Sequence, residues 1–341
     1  MTINRFSMIA GPLALALCVM EGAHAQSTMQ IYGVLDVWAG RSEISASERA
    51  ATAVNNGGMQ TSYWGWAGSE DLGGAKAIYA VEGYLQVDTG AAGRTPTDAM
   101  FARNAFVGLQ GRAGELKIGR VLNPLFVATA ASNPFGGSIR LGPLLGQIWS
   151  PQMGRAVAGD TSWDNVVSYT TPRLAGFTLA VLAGLGETTF GTSTHNLGTT
   201  LSYVGGRTVV YASAQRVRIG PGLTAIGQSE QKTFFLGGSH DLGSVKLFGA
   251  YDTAKSAMPA MRARTGQLGM SVPAAGGSIM LSWARTDVSA VNAAARRRNT
   301  GAIGYDYPLS LRTELYAVAQ TDRLAGADRA RTYATGVRLR F

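Results

Sequence analysis

From Ala75 to Asp88 the chain changes character at every second residue: Ala77, Tyr79, Val81, Leu85 and Val87 alternate with Lys76, Glu82, Tyr84, Gln86 and Asp88. The pattern recurs in Ser244 to Thr253, where Val245, Leu247 and Tyr251 oppose Lys246 and Asp252. It recurs in Leu311 to Thr321 and in the closing stretch that ends Val337, Arg338, Leu339, Arg340, Phe341. Side chains of a strand point alternately to its two faces, so a period of two sustained over such lengths specifies half-buried β-strands. No stretch after Gln26 reaches the run of about 18 apolar residues that marks a membrane-spanning helix. Yet 46% of the residues are hydrophobic and only 15% are charged, with 45 glycines. A closed membrane β-barrel reconciles these facts, because its apolar residues are spread one in two along many strands.

The connections alternate in length. Short ones fall at Asp71 to Gly74, Arg112 to Gly114, Arg173 to Gly176, Gly205-Gly206, Asp241 to Gly243 and Pro308 to Ser310. Long ones fall at Arg41 to Met59, Leu122 to Asp160, Arg218 to Glu230 and Asp287 to Arg298. Short turns on one rim and long loops on the other are how membrane barrels are built. Sixteen segments are expected, starting near Met29, Gln60, Ala75, Phe101, Glu115, Asp164, Gly176, His195, Arg207, Gln231, Ser244, Ala263, Gly276, Asn299, Leu311 and Ala330. An even count puts both termini on the short-turn side. A soluble sandwich or a surface adhesin would share the alternation but not the paired pattern of connection lengths.

Residues 1–25 read as a signal peptide: Arg5, then an apolar run from Met8 to Met20, then Ala23 and Ala25 at −3 and −1 of a cut before Gln26. The run is too short to span a bilayer. Leu17 before Cys18 argues against a lipoprotein signal. Cys18 is the only cysteine, so the mature chain carries no disulfide framework. Removing 25 residues from 341 leaves 316, taken as one barrel domain over 26–341. The formal net charge of +9 survives, since Arg5 and Glu21 leave together. The basic residues are scattered, apart from Arg296-Arg297-Arg298, which reads as a solvated loop. Nucleic acid is therefore not an expected partner.

Enzyme signatures are missing. Only His195 and His240 follow the cut, with no Gly-x-Ser-x-Gly elbow and no Cys/His cluster for zinc. No cofactor or metal is expected. Glu70-Asp71 sits at a turn without calcium-ligand spacing. A barrel lipase or protease is thus the weaker class.

Ordered motifs along the whole chain resemble the trimeric general porins of Gram-negative bacteria in their β-proteobacterial form. They are Gln30 to Asp36, Gly68 to Gly74, Arg103 to Leu109, Ile118-Gly119-Arg120, Asp164 to Tyr169 with Ala175-Gly176-Phe177, and the terminal Phe341. The resemblance implies a 16-stranded antiparallel barrel with short periplasmic turns, long extracellular loops and a third loop, Leu122 to Asp160, folded inward. It implies a homotrimer in outer-membrane lipid and lipopolysaccharide, with Gly90 to Met100 as a latch on a neighbouring subunit. It further implies that Phe341 is read by the barrel assembly machinery. The function implied is passive diffusion of small hydrophilic solutes and ions, with a substrate-selective channel for a sugar or organic anion as the alternative.

A pore selects by width and by the charges at its narrowest point. Arg120 matches a wall arginine of the family, and Arg103 a second position, although its alternation sets it beside Val107 and Leu109 unless a bulge intervenes. The chain departs from the family where Tyr63 replaces a wall arginine, Ala67 a lysine, and Trp163 stands near another arginine. The third loop contains Arg140 and Arg155 but no carboxylate before Asp160. These departures predict a net-positive, aromatic constriction of Arg120, Arg140, Arg155 and Arg103 with the inward Lys76, Tyr63 and Trp163, and a modest anion preference. Trp149 and Trp163 are candidate stacking surfaces. Tyr32, Trp38, Trp64, Trp66, Tyr79, Phe106, Tyr251 and Trp283 are expected in the membrane-interface girdles.

Overall fold

A computed structural model describes residues 27–153, 159–186, 195–218, 220, 230–257, 260–291 and 293–341. The proposed signal peptide lies outside the described residues. Strand segments are β1 (Thr28–Ile44), β2 (Glu48–Asn56), β3 (Tyr63–Asp71), β4 (Ala75–Tyr84), β5 (Asn104–Gly111), β6 (Gly114–Leu122), β7 (Ser162–Thr170), β8 (Phe177–Leu185) and β9 (His195–Gly205). They continue as β10 (Thr208–Val217), β11 (Gln231–Asp241), β12 (Lys246–Ser256), β13 (Met261–Ala274), β14 (Gly277–Ala290), β15 (Ala293–Pro308), β16 (Thr313–Leu324) and β17 (Ala330–Arg340).

Every pairing is antiparallel, and β1 hydrogen-bonds to β17, which closes the sheet on itself. Segments β2 and β3 lie end to end beside β1: Val37–Ile44 pairs with β2 and Thr28–Val34 with β3. They are two lengths of one interrupted strand, so the wall has sixteen strands. Closure leaves no edge, the condition for a sheet to stand in hydrocarbon.

The break between β2 and β3 is compensated by one buried side chain. Asp36, fully buried on β1, accepts hydrogen bonds from the backbone N–H groups of Gly58 (2.9 Å), Met59 (2.9 Å) and Gln60 (2.8 Å). These donors are freed when the strand stops pairing, and one carboxylate satisfies all of them.

Outward residues are apolar and open to the surroundings: Ile31 is 68% exposed, Val107 65% and Leu268 69%. A soluble protein does not leave a continuous band of this kind bare. Inward residues along the wall from β11 to β17 are polar and covered, as Thr233, Asp252, Thr265, Thr286, Thr300 and Thr332 show.

The third long connection folds into the barrel. It carries α1 (Pro124–Ala131) and α2 (Pro143–Trp149), each with proline at its first turn, where no N–H is required. Asn123 caps α1 by accepting from the Leu125 N–H at 2.9 Å. The helices rest on β9–β11 and on β13–β15, respectively. Phe135 and Leu141 pack with Trp38, Met59, Met280, Tyr316 and Val318, while Leu125, Leu144, Leu145 and Ile148 pack with Phe235 and Trp149. Each such side chain contributes about 1.5–3 kcal/mol on burial. Polar bolts fix the loop further: Gln147 donates to the Ala284 carbonyl at 3.0 Å, and Ser138 to the Gly58 carbonyl at 2.6 Å.

Three expectations need correction. Arg41 to Met59 is not a loop but the top of a hairpin, β1 and β2. Asp287 to Arg298 likewise forms a hairpin of β14 and β15. Arg298 is therefore not solvated; it is 5% exposed and ion-paired with Asp322. Finally, Tyr32, Trp38 and Phe106 face inward: Tyr32 donates to Glu82, Trp38 packs under the inward loop, and Phe106 packs beside the Trp163 cluster. The other five girdle aromatics lie on the outward side of their strands.

Candidate functional site: the pore wall and the inward loop

The alternation of β3, β4 and β5 brings Tyr63, Glu82 and Asn104 to the inner wall. Arg103, the residue before β5, joins them. Its guanidinium pairs with the Glu82 carboxylate and lies over the Tyr63 ring, 4.0 Å from the centroid. Arg103 thus reaches the lumen because it precedes the regular strand, which resolves the alternation problem in its sequence. Glu82 also accepts from Asn104 and Tyr32, so this inward carboxylate is fully engaged.

Arg120 stands at the root of the inward loop. The β6–β7 ladder is irregular there, with two residues of β6 opposite a longer path through Asp164 and Asn165, and Asn165 sits at φ 54°. Gly119 before it adopts φ +133°, a conformation in which a side chain would be strained and would meet the Ala105 carbonyl. The bulge turns the Arg120 guanidinium to Asp164 (2.5 Å) and Asp160 (3.2 Å).

Asp160 is shared with Arg94, which sequence reasoning did not single out. Arg94 reaches from the segment after β4 to both oxygens of Asp160 (2.8 Å each) and both of Asp98 (2.8 and 2.9 Å), and covers the Tyr84 ring. Burial alone would raise the Asp160 carboxyl, but the Arg94 hydrogen bonds prevail and hold it below the ordinary range; Asp98 is lowered the same way. The loop expected to latch onto a neighbour therefore has its arginine tied to its own barrel.

Arg140, midway along the inward loop, pairs with Glu48 of β2 (2.7 Å) and also meets Ser42; its side chain keeps 30% exposure. Lys76 faces inward but sits opposite Asp71 beside the short turn, six positions along β4 from Glu82. Arg155 lies outside the described residues. Trp163 is 2% exposed among Val121, Val166, Leu182 and Val217. Trp149 is buried too, donating to Thr129 at 2.9 Å with its ring edge-on to Phe126. Neither indole offers a face to a solute, so the stacking surface expected of them is absent.

Two carboxylates were invisible as partners because only register reveals them: Glu48 in the stretch read as a loop, and Asp36. Glu82 could have been found from the inward side of the β4 alternation. Asp71 and Asp241 perform turn work, each accepting from the N–H two residues on (2.8 and 2.7 Å). Among the described residues no group of three or more metal-ligating side chains converges.

A profile of Gram-negative porins matches residues 13–327. The chain belongs to the Gram-negative porin family. Outer membrane porin protein 32 of Delftia acidovorans is 30% identical over 327 residues, covering 89% of this chain and 86% of its own. An outer membrane porin of Bordetella pertussis is 26% identical over 376 residues, covering 93% and 95%. Among solved structures, the anion-selective porin from Comamonas acidovorans superposes with a TM-score of 0.77 at 24% identity, over 93% of this chain and 100% of that one. The in vitro folded trimer form of OmpT from Vibrio cholerae gives 0.65 at 15% identity, over 92% and 99%.

The porin spans the outer membrane with its short turns periplasmic and its long loops extracellular. It is a channel for passive diffusion of small hydrophilic solutes and ions, not an enzyme. Its wall, closed by β1 and β17 and narrowed by the inward loop, is the machinery of that function.

Proposed function

We propose that the porin is a general diffusion channel with a modest anion preference, assembled as a homotrimer after removal of residues 1–25. The observation that carries the preference is the charge of the inward loop. Between Leu122 and Asp160 its only carboxylate is Asp160, which Arg94 and Arg120 hold from two sides. Arg140 keeps part of its surface open to the lumen, and Arg155 adds a second positive charge in the sequence. In a narrow space with low-dielectric walls such an imbalance acts more strongly on passing ions than on an open surface. The anion-selective Comamonas porin among the structural neighbours supports the same reading.

Arg120, Arg103, Tyr63 and Trp163 serve this constriction mainly by shaping the wall and rooting the loop. Arg140 and Arg155 supply its field, and Lys76 adds positive charge at the periplasmic mouth. The burial of Trp149 and Trp163 favours a general channel over one that grips a sugar or aromatic solute. Phe341 pairs with Gly33 through both backbone groups (3.1 and 3.2 Å), and we assign it a further role as the mark read by the barrel assembly machinery. Outer-membrane lipid and lipopolysaccharide surround the wall.

Reversal potentials across planar bilayers in a KCl gradient test the preference. A potential of the sign set by chloride is expected; a clear potassium-selective sign would refute it.

A further inference from the structure

The basic residues, scattered in sequence, are gathered by register on the outward face. Arg216 of β10 lies directly opposite Lys232 of β11, Lys232 opposite Lys255 of β12, and Lys255 opposite Arg262 of β13. All four alternate with covered inward neighbours, so they point away from the lumen. All four sit at the extracellular ends of their strands, just above the apolar band. Directly opposed residues on one face bring their Cβ atoms to about 5 Å, and like charges there are destabilising. A row of four consecutive cations therefore opposes folding unless an anion lies across it.

The chain supplies little of that anion. Among the described residues Arg216, Lys255 and Arg262 make no ion pair, and the Arg216 Nε is buried without a partner. Lys232 has Glu230 at 3.4 Å, but Glu230 is held more closely by Arg218 at 2.6 Å; Asp287, diagonal to Arg262 across the β13–β14 ladder, is taken by Arg285 and Arg297 at 3.0 and 2.7 Å.

Beneath the Arg216–Lys232 end of the row runs an apolar furrow of about 730 Å³, walled by Val167, Val181, Leu197 and Ala214 and closed at its top by these two cations. The arrangement recurs farther round the barrel. A furrow of about 780 Å³ between Leu268, Trp283 and Ile303 is opened by Gly301 and closed by Arg329 and Arg331. Cations above and greasy furrows below match a lipid with several phosphates and several acyl chains.

We infer that the Arg216–Lys232–Lys255–Arg262 row, with the furrow beneath it, is a docking site for the phosphorylated glycolipid of the outer leaflet. The inference gives a site to the lipopolysaccharide partnership proposed above and rests on the membrane placement of this porin. The bound phosphates bridge neighbouring cations and turn a repulsive row into a cohesive one across four strands.

The test titrates diphosphoryl lipid A onto the refolded full barrel in detergent, read by native mass spectrometry. The combined Lys232→Gln, Lys255→Gln and Arg262→Gln variant is expected to bind on the order of a hundredfold more weakly, roughly fivefold per cation. A control with Arg112→Gln, Arg173→Gln and Arg312→Gln, the same charge change at the periplasmic rim, is expected to bind as the unaltered protein does. Heat-modifiable gel migration verifies folding; should the combined variant fail that check, Lys255→Gln alone is expected to lose about fivefold. Undiminished binding, an equal loss in the control, or equal affinity for dephosphorylated lipid A would each overturn the site. Conductance of the same preparations keeps the two readings apart. A combined variant that conducts normally but has lost lipid A supports both, whereas a silent unaltered protein contradicts the channel and not the lipid site.

Discussion

The phenol of Tyr316 donates to Oδ1 of Asp36 at 2.6 Å, joining the first strand of the barrel to the next-to-last at the level where β2 and β3 part. Together with the three N–H groups of residues 58–60, this bond places a fully engaged carboxylate between the interrupted strand, the closing seam and the core beneath the inward loop. Asp36→Ala would strand several buried donors, each costing about 1–3 kcal/mol, whereas Tyr316→Phe removes one bond and costs about 1–2 kcal/mol. The temperature at which the folded gel band disappears is expected to fall in both, and further in Asp36→Ala.

Arg298 and Asp322 form a second buried pair, 2.5 Å apart, and Arg298 also donates to the Ser45 carbonyl at the β1–β2 turn (2.9 Å). Breaking a buried pair by removing one partner costs about 3–5 kcal/mol. Arg298→Ala is expected to open the turn around Ser45 to added protease on intact cells, with the barrel below it still protected.

The Arg94 clamp gives the root of the inward loop a pH dependence. Asp98 and Asp160 are held below the ordinary carboxylate range by Arg94. A depressed carboxyl contributes its stability in full above the unfolded value, near about 4. That stability is lost as the pH falls through the lower, folded value. Current noise and closures are therefore expected to stay flat from neutral pH down to about 4 and to rise below it. Arg94→Gln should show the noisy behaviour already at neutral pH.

Arg140 is ion-paired with Glu48 at 2.7 Å, and both side chains stay partly exposed. Glu48→Gln is expected to raise the chloride-to-potassium permeability ratio and Arg140→Gln to lower it, each by a factor of about 2, as fits one partly screened charge. Reversal potentials read both; shifts in the same direction would remove Arg140 from the selectivity mechanism.

Most of the barrel was legible from alternation because lipid imposes one polarity on one face. The segments starting at Met29, Ala75, Glu115, His195, Gln231 and Ala330 stand within a residue of where strands begin. Alternation failed where lipid is not the neighbour. The hairpins at 41–56 and 287–298 carry polar residues on both faces, as strands do above the membrane, and so read as loops. It misled for Tyr32, Trp38 and Phe106 because the inward loop and wall build a second, protein core inside the barrel. There an aromatic residue is as much at home facing in as out.

The site was less legible for a related reason. Arginines could be located by position, but their partners Glu48, Glu82 and Asp164 come from separate strands and Asp160 from the end of the inward loop, and only register and a bulge at Gly119 bring them together. The row from Arg216 to Arg262 shows the same limit: four cations spread over 47 positions become neighbours only once the strands are paired.

Whether the lumen enclosed by these sixteen strands conducts is tested most directly by single-channel recording of the refolded mature chain in planar lipid bilayers. Discrete, long-lived current steps whose size grows in proportion to salt concentration are predicted, as for ions moving through a water-filled passage. A folded, heat-modifiable protein that inserts into the bilayer and passes no current would contradict the account.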